Sequence, residues 1–272
     1  MKTALPPHLS FDLPSPYEDP IRYDRTYRRR RMDVEFYRSM AKEKAGPVLE
    51  LGIGTGRIAI PLARDGHLVV GIEKEPAMLE RLRLKLRRET REVRLRVRWI
   101  AGDFRWMRFP KDGENETPRR FPLVIAPFNV FMHLYTIDDV ESTLCAIREC
   151  LEPKGILAFD VRMPDMRTFF RNPERRYRCA DLRNPQSGER LLVYERFEYD
   201  AFWQIQCVTT EYRLKTGALL RTECLVHRQF FPQELLGLLR DAGFQIVGFW
   251  GDFDRSPPTI DSPHQVVVAE IK

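Results

Sequence analysis

The stretch that decides the fold of this chain is VLELGIGTGRIAI, residues 48–60. An apolar segment at 48–51 has the composition of a buried strand, glycines follow at positions 52, 54 and 56, and a helical apolar pattern starts directly afterwards. Glycines allow a sharp turn and let a ligand come close to the backbone amides at the start of a helix. The stretch therefore predicts a strand, a ligand-binding turn and a helix in succession.

The spacing of the three glycines distinguishes between two kinds of ligand. The dinucleotide fingerprint G-x-G-x-x-G requires a glycine at position 57, where this chain has Arg57. A nicotinamide-dependent oxidoreductase is therefore disfavoured, and G-x-G-x-G without a pyrophosphate to hold fits a ligand with an amino-acid tail. The plainer alternative is that the glycines serve only a tight strand–helix turn.

Short apolar strands and helical patterns alternate around this turn. The strands are predicted at 48–51, 68–72, 95–100, 122–126 and 156–161, and the helices at 57–64, 76–88 and 138–151. A further helix at 232–243 and strands near 245–249 and 265–271 return to the same sheet. This order predicts an α/β fold: a Rossmann-like doubly wound, mostly parallel seven-stranded sheet, covered on both faces by helices and carrying an inserted antiparallel β cap.

Two segments differ from this pattern. Residues 1–32 are proline-rich and then charged and tyrosine-rich, which predicts an irregular arm, and a helix is expected to begin with Asp33 as its N-cap. Residues 189–230 contain long alternating runs joined by polar turns, which predict an antiparallel meander. The predicted organisation is an N-terminal arm and helix at 1–45, a core at 46–165 and 228–272, and an inserted β-meander cap at 166–227.

Polar residues and glycines follow three of the predicted strands where each strand ends. Strand two ends at Glu73, strand three runs into Gly102-Asp103-Phe104, and strand four into Pro127-Phe128-Asn129. The carboxyl ends of strands form the rim at which open α/β sheets bind ligands. Glu73 can accept hydrogen bonds from both hydroxyls of a ribose, and Asp103 from the exocyclic amine of an adenine. The alternatives are a capping or solvated carboxylate at Glu73 and a turn residue at Asp103.

Together these segments resemble class I S-adenosylmethionine-dependent methyltransferases. The matching motifs are ELGIGTG (50–56) for the family's E/D-x-G-x-G-x-G, GIEKEPAML (71–79) for its acidic loop, AGDFR (101–105) for its G-D motif, and LVIAPFNVFMHL (123–134), CLEPKGILAFDV (150–161) and FFPQELLGLLRDAGF (230–244) for later segments. The resemblance covers roughly residues 45–162 and 228–272. The resemblance is greatest to small-molecule methyltransferases with an N-terminal lid and a β-meander cap. It implies that residues 17–37 form the lid and that Tyr23 and Tyr27 contact the cofactor. It also implies that residues 166–227 cover the substrate.

The resemblance also implies which residues hold the cofactor, S-adenosylmethionine. Gly52 and Gly54 would lie against its methionine part, Glu73 on the ribose, and Asp103 and Phe104 at the adenine. Glu73 stands where the family usually has aspartate, and Lys74 where an apolar residue is common, so the lysine stem is expected to contact the adenine. The complete set of candidate cofactor-binding residues is Tyr23, Glu50, Gly52, Gly54, Gly56, Arg57, Glu73, Lys74, Met78, Gly102, Asp103, Phe104, Pro127 and Phe128.

The candidate catalytic residues are His133 and Asn129, which follow predicted strand four. Methyl transfer is an in-line displacement at a sulfonium, so the acceptor atom must be held near the methyl group. His133 would either remove the acceptor's proton or orient the acceptor, with Asn129 beside it. The alternative for His133 is simple packing beside Phe131 and Leu134.

Composition bears on location and partners. The sequence has no run of about 18 apolar residues, so no membrane span and a cytoplasmic location are expected. The five cysteines lie in apolar patterns without metal-ligand spacing, which predicts reduced, packed thiols and no bound metal. The net charge is +6, with basic residues concentrated at 28–31 and 81–98. Glutamates are interleaved in the second run, which disfavours nucleic acid as a partner.

The sequence therefore predicts an enzyme that moves a methyl group from S-adenosylmethionine to a nitrogen or oxygen of a small molecule. One alternative is an RNA or protein methyltransferase, which the basic charge keeps open. A further alternative is a non-catalytic protein that binds S-adenosylmethionine as an effector. The identity of the methyl acceptor and the oligomeric state are left open.

Overall fold

The structure is a computed structural model that describes residues 13–106, 118–183 and 188–272. The described residues form two compact units, one of residues 19–163 with 230–272 and the other of residues 13–18 with 164–229. Within these ranges, no helix combines the length and the apolar character that a membrane span requires. The first twelve residues of the expected arm lie outside the described residues.

Eleven strands lie in the described ranges. They are β1 Val48–Leu51, β2 Val69–Glu73, β3 Val97–Ala101, β4 Phe121–Ala126, β5 Leu151–Arg162, β6 Tyr177–Arg183, β7 Arg190–Asp200, β8 Ile205–Leu214, β9 Leu219–Arg228, β10 Phe244–Trp250 and β11 His264–Ile271. The larger unit holds a seven-stranded sheet in the order β10-β11-β5-β4-β1-β2-β3. The first five strands pair in parallel, whereas β11 is antiparallel to both β5 and β10. The predicted doubly wound, mostly parallel seven-stranded sheet is therefore confirmed.

Eight α-helices accompany these strands in the same ranges. They are α1 Pro20–Tyr27, α2 Met32–Lys44, α3 Ala59–Arg64, α4 Pro76–Leu86, α5 Arg91–Leu95, α6 Ile137–Cys150, α7 Met166–Phe169 and α8 Pro232–Asp241, with short 3-10 turns at Pro16–Glu18, Phe104–Trp106 and Val130–His133. Local sequence explains several starts. A proline opens α1, α4 and α8, where its missing N–H costs nothing, and Thr136 and Asp139 form a capping box at α6.

The seven-stranded sheet is covered on both faces. Successive residues of a strand point to opposite faces of the sheet, and each face has its own core cluster. Leu49 and Val70 belong to one cluster, and Val48 and Val69 belong to the other. Burial on both faces explains why these strands read as continuous apolar runs.

The order of the strands also fixes where a ligand binds. The chain returns from the edge strand β3 to the opposite side of β1, so the winding reverses between β1 and β4. Ligands of open α/β sheets bind outside the carboxyl ends of the strands at this point of reversal. The glycine turn after β1 and the segment 127–129 after β4, which starts with the buried Pro127, meet there.

Three predictions about the larger unit are wrong, one of them the N-cap of α2, which is Arg31 and not Asp33. The expected irregular arm contains α1, whose N-cap residue Asp19 accepts a 3.0 Å hydrogen bond from the amide of Arg22. The strand expected at 95–100 begins only at Val97, because residues 91–95 form α5 with Thr90 as its N-cap. Apolar and basic residues alternate at 93–99, which is typical of one continuous strand. Val93 is instead the buried residue of α5.

The smaller unit is an antiparallel sheet in the order β6-β7-β8-β9. Its last three strands confirm the predicted meander. Strand β6 was not predicted, because it is mostly exposed and lacks the alternation of a half-buried strand. Cys207 and Cys224 form a disulfide between β8 and β9, so the expectation of reduced thiols is wrong for this pair.

Candidate active site

The three glycines after β1 all have left-handed backbone conformations, with φ of 66° at Gly52, 54° at Gly54 and 76° at Gly56. A Cβ at Gly52 would lie 2.7 Å from Val130 Cγ2, and a Cβ at Gly56 would lie 2.5 Å from Leu82 Cδ1. At Gly54 the nearest atom would be 3.3 Å away. Packing therefore requires glycine at 52 and 56, whereas Gly54 is the position with the most space for a ligand.

Glu73 ends β2 beside this turn. Its Oε2 accepts a hydrogen bond from the amide of Gly54 and its Oε1 from the amide of Glu75, each at 2.9 Å. Burial raises the pKa of the Glu73 carboxyl. Because a carboxylate oxygen has more than one lone pair, both oxygens can still accept from a hydroxyl. The buried Met78 closes the same turn, with its Cε 3.3 Å from the position of a Cβ on Gly54.

Glu50, in β1, is the second carboxyl behind the turn. It is buried, and within the described residues its Oε2 has no hydrogen-bond partner. Burial raises its pKa well above the ordinary value, against the opposing effect of Arg57. A buried polar atom without a partner is costly unless a ligand satisfies it. The site therefore fits a cofactor that brings a hydrogen-bond donor, such as the amino group of an amino-acid tail.

Two guanidinium groups lie beside the segment that follows β4. Arg57 donates to both oxygens of Asp33 at 2.9 and 2.7 Å, and Arg30 donates to Asp33 Oδ2 at 2.8 Å. Both guanidinium carbons lie over the ring of Phe128, at 5.0 Å for Arg57 and 5.1 Å for Arg30. One carboxylate between two guanidinium groups leaves a net positive charge, which suits a carboxylate ligand.

Helix α1 brings two tyrosines to the same place. The ring centroids of Tyr23 and Tyr27 are 4.9 Å apart, and that of Tyr27 is 4.6 Å from that of Phe128. Tyr23 is hydrogen-bonded to Arg57, and burial raises the pKa of its hydroxyl. The aromatic rings thus enclose the guanidinium side of the site. The predicted lid role of residues 17–37 stays a prediction.

At the end of β3, Asp103 has a side-chain partner that the sequence did not indicate. Arg105 Nε donates to both oxygens of Asp103 at 3.0 Å, so this carboxylate already has a partner. Burial acts to raise the pKa of Asp103, but the hydrogen bonds from Arg105 hold it below its ordinary value. A Cβ on Gly102 would have no atom within 4 Å, and Phe104 is buried in the hydrophobic core. The Lys74 Nζ lies 3.9 Å from the carboxylate of the next residue.

Asp160, buried in β5, holds the segment after β4. Its Oδ1 accepts hydrogen bonds from the hydroxyl of Tyr37 and the amide of Phe128, each at 2.7 Å, and its Oδ2 accepts from the amide of Asn129 at 3.3 Å. Phe128 and Asn129 have φ of 61° and 65°, which residues with a side chain seldom adopt. Asp160 therefore stabilises a strained backbone at the rim.

The two candidate catalytic residues have different surroundings. Asn129 is buried, and its Oδ1 has no hydrogen-bond partner in the described part of the chain. His133 ends the 3-10 turn, with its Nδ1 3.4 Å from the hydroxyl of Tyr135. Burial, and then the charges of Lys74 and Arg105, lower the pKa of His133 to about 3. His133 is thus uncharged at neutral pH, and its charged neighbours follow β2 and β3.

Three residues that shape the site were not predicted. Arg30 belongs to the basic run 28–31, for which the sequence indicated only a contribution to net charge and to the nucleic-acid alternative. Asp33 was expected to cap α2, but the N-cap is Arg31 and Asp33 lies in the first turn as an ion-pair partner. For Asp160 a signal existed, since an aspartate inside the apolar stretch ILAFDV (156–161) must find buried donors.

The fold and this site define a class of enzyme that binds an adenosyl cofactor with an amino-acid tail at the carboxyl edge of the sheet. The profile of a family described as a methyltransferase domain matches residues 48–155. The putative methyltransferase YqeM of Bacillus subtilis (strain 168) is 32% identical over 233 residues, which cover 80% of this chain and 81% of that protein. The chain therefore belongs to the class I S-adenosylmethionine-dependent methyltransferases. Its predicted enzyme class and cofactor are confirmed.

Two further proteins are similar over most of the chain. The glycine/sarcosine N-methyltransferase of Aphanothece halophytica is 25% identical over 242 residues, which cover 86% of this chain and 80% of that protein. The structure of the CcbJ methyltransferase from Streptomyces caelestis matches with a TM-score of 0.74 and 25% identity, covering 94% of this chain and 98% of that one. The similarity thus includes the segments on both sides of the profile match.

Proposed function

We propose that this methyltransferase acts on a nitrogen or oxygen of a small molecule, with an amine as the first candidate. The observation that carries the proposal is the buried Oδ1 of Asn129, which has no partner within the described residues and lies at the rim after β4. An unpaired buried oxygen is stabilised by a donor, so it suits the N–H or O–H group of an acceptor. The similarity to a glycine/sarcosine N-methyltransferase supports nitrogen.

The environment of His133 favours an amine over an alcohol. A base is most effective when its pKa is near the operating pH, and the pKa of His133 is lowered to about 3. The cofactor supplies an electrophilic methyl group on a sulfonium. A neutral amine uses its own lone pair to form the new N–C bond while the C–S bond breaks, and the ammonium product then loses its proton to water. An alcohol would need its proton removed earlier, so it depends more strongly on a base.

The residues present fit the three parts of the cofactor. We assign the carboxylate of the methionine part to Arg30 and Arg57, which carry the complementary charge, and its amino group to Glu50, whose buried Oε2 lacks a hydrogen-bond partner within the described residues. The ribose hydroxyls are assigned to Glu73, whose two oxygens keep lone pairs beside the glycine turn. The adenine is assigned to the open rim at Gly102.

Three other predictions belong to the same proposal. Residues 17–37 act as a lid that excludes water during transfer, residues 166–227 select the acceptor, and the protein works in the cytoplasm. Fluorescence of the tagged chain in living cells tests the cytoplasmic location. Exchange of segment 166–227 for that of a relative with another acceptor tests the selection of the acceptor, and a changed acceptor range is expected.

The test of the activity is transfer of the labelled methyl group of S-adenosylmethionine to pools of amines, alcohols, RNA and protein. We expect label in amines, and we expect Asn129→Ala to lower kcat/KM at least about 10-fold while the Kd for S-adenosylhomocysteine stays within twofold. Label in RNA or protein alone would contradict the small-molecule proposal. Tight cofactor binding without transfer to any pool would favour an effector protein instead.

A further inference from the structure

Asp24, on α1, is the centre of a polar cluster that none of the assignments above uses. Its Oδ1 accepts a hydrogen bond from the hydroxyl of Thr55 at 2.7 Å, and its Oδ2 accepts from Arg81 Nε at 2.7 Å. The Lys85 ammonium lies 3.1 Å from Asp24 Oδ1 and 3.2 Å from Thr55 Oγ1. The Asp24 side chain is only 18% exposed, and this cluster holds the pKa of Asp24 below its ordinary value although burial acts in the opposite direction. The Asp24 carboxylate thus receives hydrogen bonds from three side-chain donors.

Thr55 connects this cluster to the glycine turn. Thr55 stands between Gly54 and Gly56 in the turn that approaches the cofactor, and it is buried. Arg81 and Lys85 lie one turn apart on α4, the helix that follows the ribose-binding strand end. The carboxylate of Asp24 therefore joins α1 to both elements that surround the glycine turn.

Helix α1 depends on such contacts for its position. It has eight residues, none of which is fully buried, and a helix of that length is unstable alone in water. Tyr23 is the neighbour of Asp24 in sequence, and Tyr27 lies one turn further on the same helix. Displacement of α1 would therefore move both tyrosines away from Phe128 and Arg57.

We propose that Asp24 is a positioning residue for cofactor binding: through Thr55, Arg81 and Lys85 it fastens α1 to the glycine turn and so keeps Tyr23 and Tyr27 over the site. The inference rests on the proposed cofactor assignments. It predicts that the cluster controls mainly how long the cofactor stays bound, because α1 must move before the ligand can leave. Asp24 itself does not contact the cofactor.

The experiment measures the Kd of S-adenosylhomocysteine by calorimetry and its dissociation rate by rapid dilution, for the full chain and its variants. We expect Asp24→Ala to raise the Kd about 10-fold, mostly through a faster dissociation rate. Thr55→Val should change both quantities in the same direction, whereas Thr55→Ser should restore them because it keeps the hydroxyl. Asp24→Ala should have a smaller effect in the Thr55→Val background than in the wild type, because the Thr55 contact is already lost there while those to Arg81 and Lys85 remain.

Asp65 offers a matched control. Its carboxylate accepts two hydrogen bonds from Arg38, at 2.6 and 2.7 Å, and so joins α2 to the end of α3 away from the glycine turn. Asp65→Ala should leave the Kd and the dissociation rate unchanged. If Asp24→Ala does not fold, Asp24→Asn keeps the volume and removes the charge that binds Arg81 and Lys85, and the same increase in dissociation rate is expected.

Two results would overturn the proposal, and they can be told apart. Normal binding by the wild type together with an unchanged dissociation rate in folded Asp24→Ala or Asp24→Asn would reject the positioning role alone. Absence of binding by the wild type would reject the cofactor assignments and the positioning role together.

Discussion

The amide of Gly54 donates a 2.9 Å hydrogen bond to Oε2 of Glu73, which connects the glycine turn after β1 to the end of β2. The second oxygen of Glu73 is held in the same way by the amide of the residue two positions later. The carboxylate is therefore fixed in orientation before any ligand arrives. This preorganisation reduces the entropy that binding must overcome.

The first prediction follows from this geometry. Glu73→Ala removes the acceptor for the ribose hydroxyls and leaves the Gly54 amide without a partner, so cofactor affinity should fall about 10–100-fold, as expected for charge-assisted hydrogen bonds of about 1.5–3 kcal/mol. Calorimetry with S-adenosylhomocysteine measures the change. An unchanged Kd in a folded variant would remove Glu73 from the cofactor site.

Sequence patterns predicted the positions of the strand ends well, since apolar runs, glycines and following polar residues mark them locally. They did not predict the partners of the polar residues at those ends. They gave no sign that Arg105 donates to Asp103, and the adenine contact of Asp103 stays a prediction. Asp33 and Arg57 are 24 positions apart and meet only because α2 packs beside the glycine turn, a tertiary contact without a local signal.

The second prediction separates the glycines by what surrounds them. Gly56→Ala should lower the free energy of unfolding by about 2–4 kcal/mol, because a left-handed φ is combined with overlap against Leu82. Gly54→Ala should cost about 1–2 kcal/mol for its backbone alone but weaken cofactor binding at least about 10-fold. Denaturant unfolding and calorimetry measure the two effects.

Gly237 is the control for these variants. It lies inside α8, and a Cβ there would meet no atom within 4 Å. Gly237→Ala should therefore stabilise the chain by about 0.5–1 kcal/mol and leave binding unchanged. If Gly54→Ala and Gly56→Ala had equal effects on binding and on stability, the conclusion that Gly54 leaves space for the cofactor while Gly56 is required by packing would be wrong.

The third prediction concerns Asp160, which holds the segment that carries Asn129. Tyr37→Phe keeps the buried ring but removes the hydroxyl that donates to Asp160, so the free energy of unfolding should fall by about 1–3 kcal/mol and kcat should fall as the segment loosens. Tyr212→Phe removes a similar bond, a 2.9 Å contact with Glu223 in the smaller unit, and serves as the control. A loss of stability without any effect on kcat would show that Asp160 only supports the fold.

The last prediction uses the protonation of His133. Burial and the charges of Lys74 and Arg105 lower its pKa from 6.5 to about 3, so the imidazole should remain neutral at pH 5 in the folded protein. In the unfolded chain the same group takes up a proton near pH 6.5. The unfolded state therefore binds more protons below that pH, and His133 makes the folded state less stable as the pH falls from about 6.5 towards about 3. NMR titration of the imidazole measures the pKa, and unfolding at several pH values should show a weaker acid dependence in His133→Asn. The same variant tests the chemistry. If His133 only orients the acceptor, His133→Asn should keep much of the turnover rate and His133→Ala should lose it. If His133 is a general base, both variants should lose the rate. A folded-state pKa near 6.5, together with loss of turnover in both variants, would show that His133 acts as a general base and would contradict this prediction.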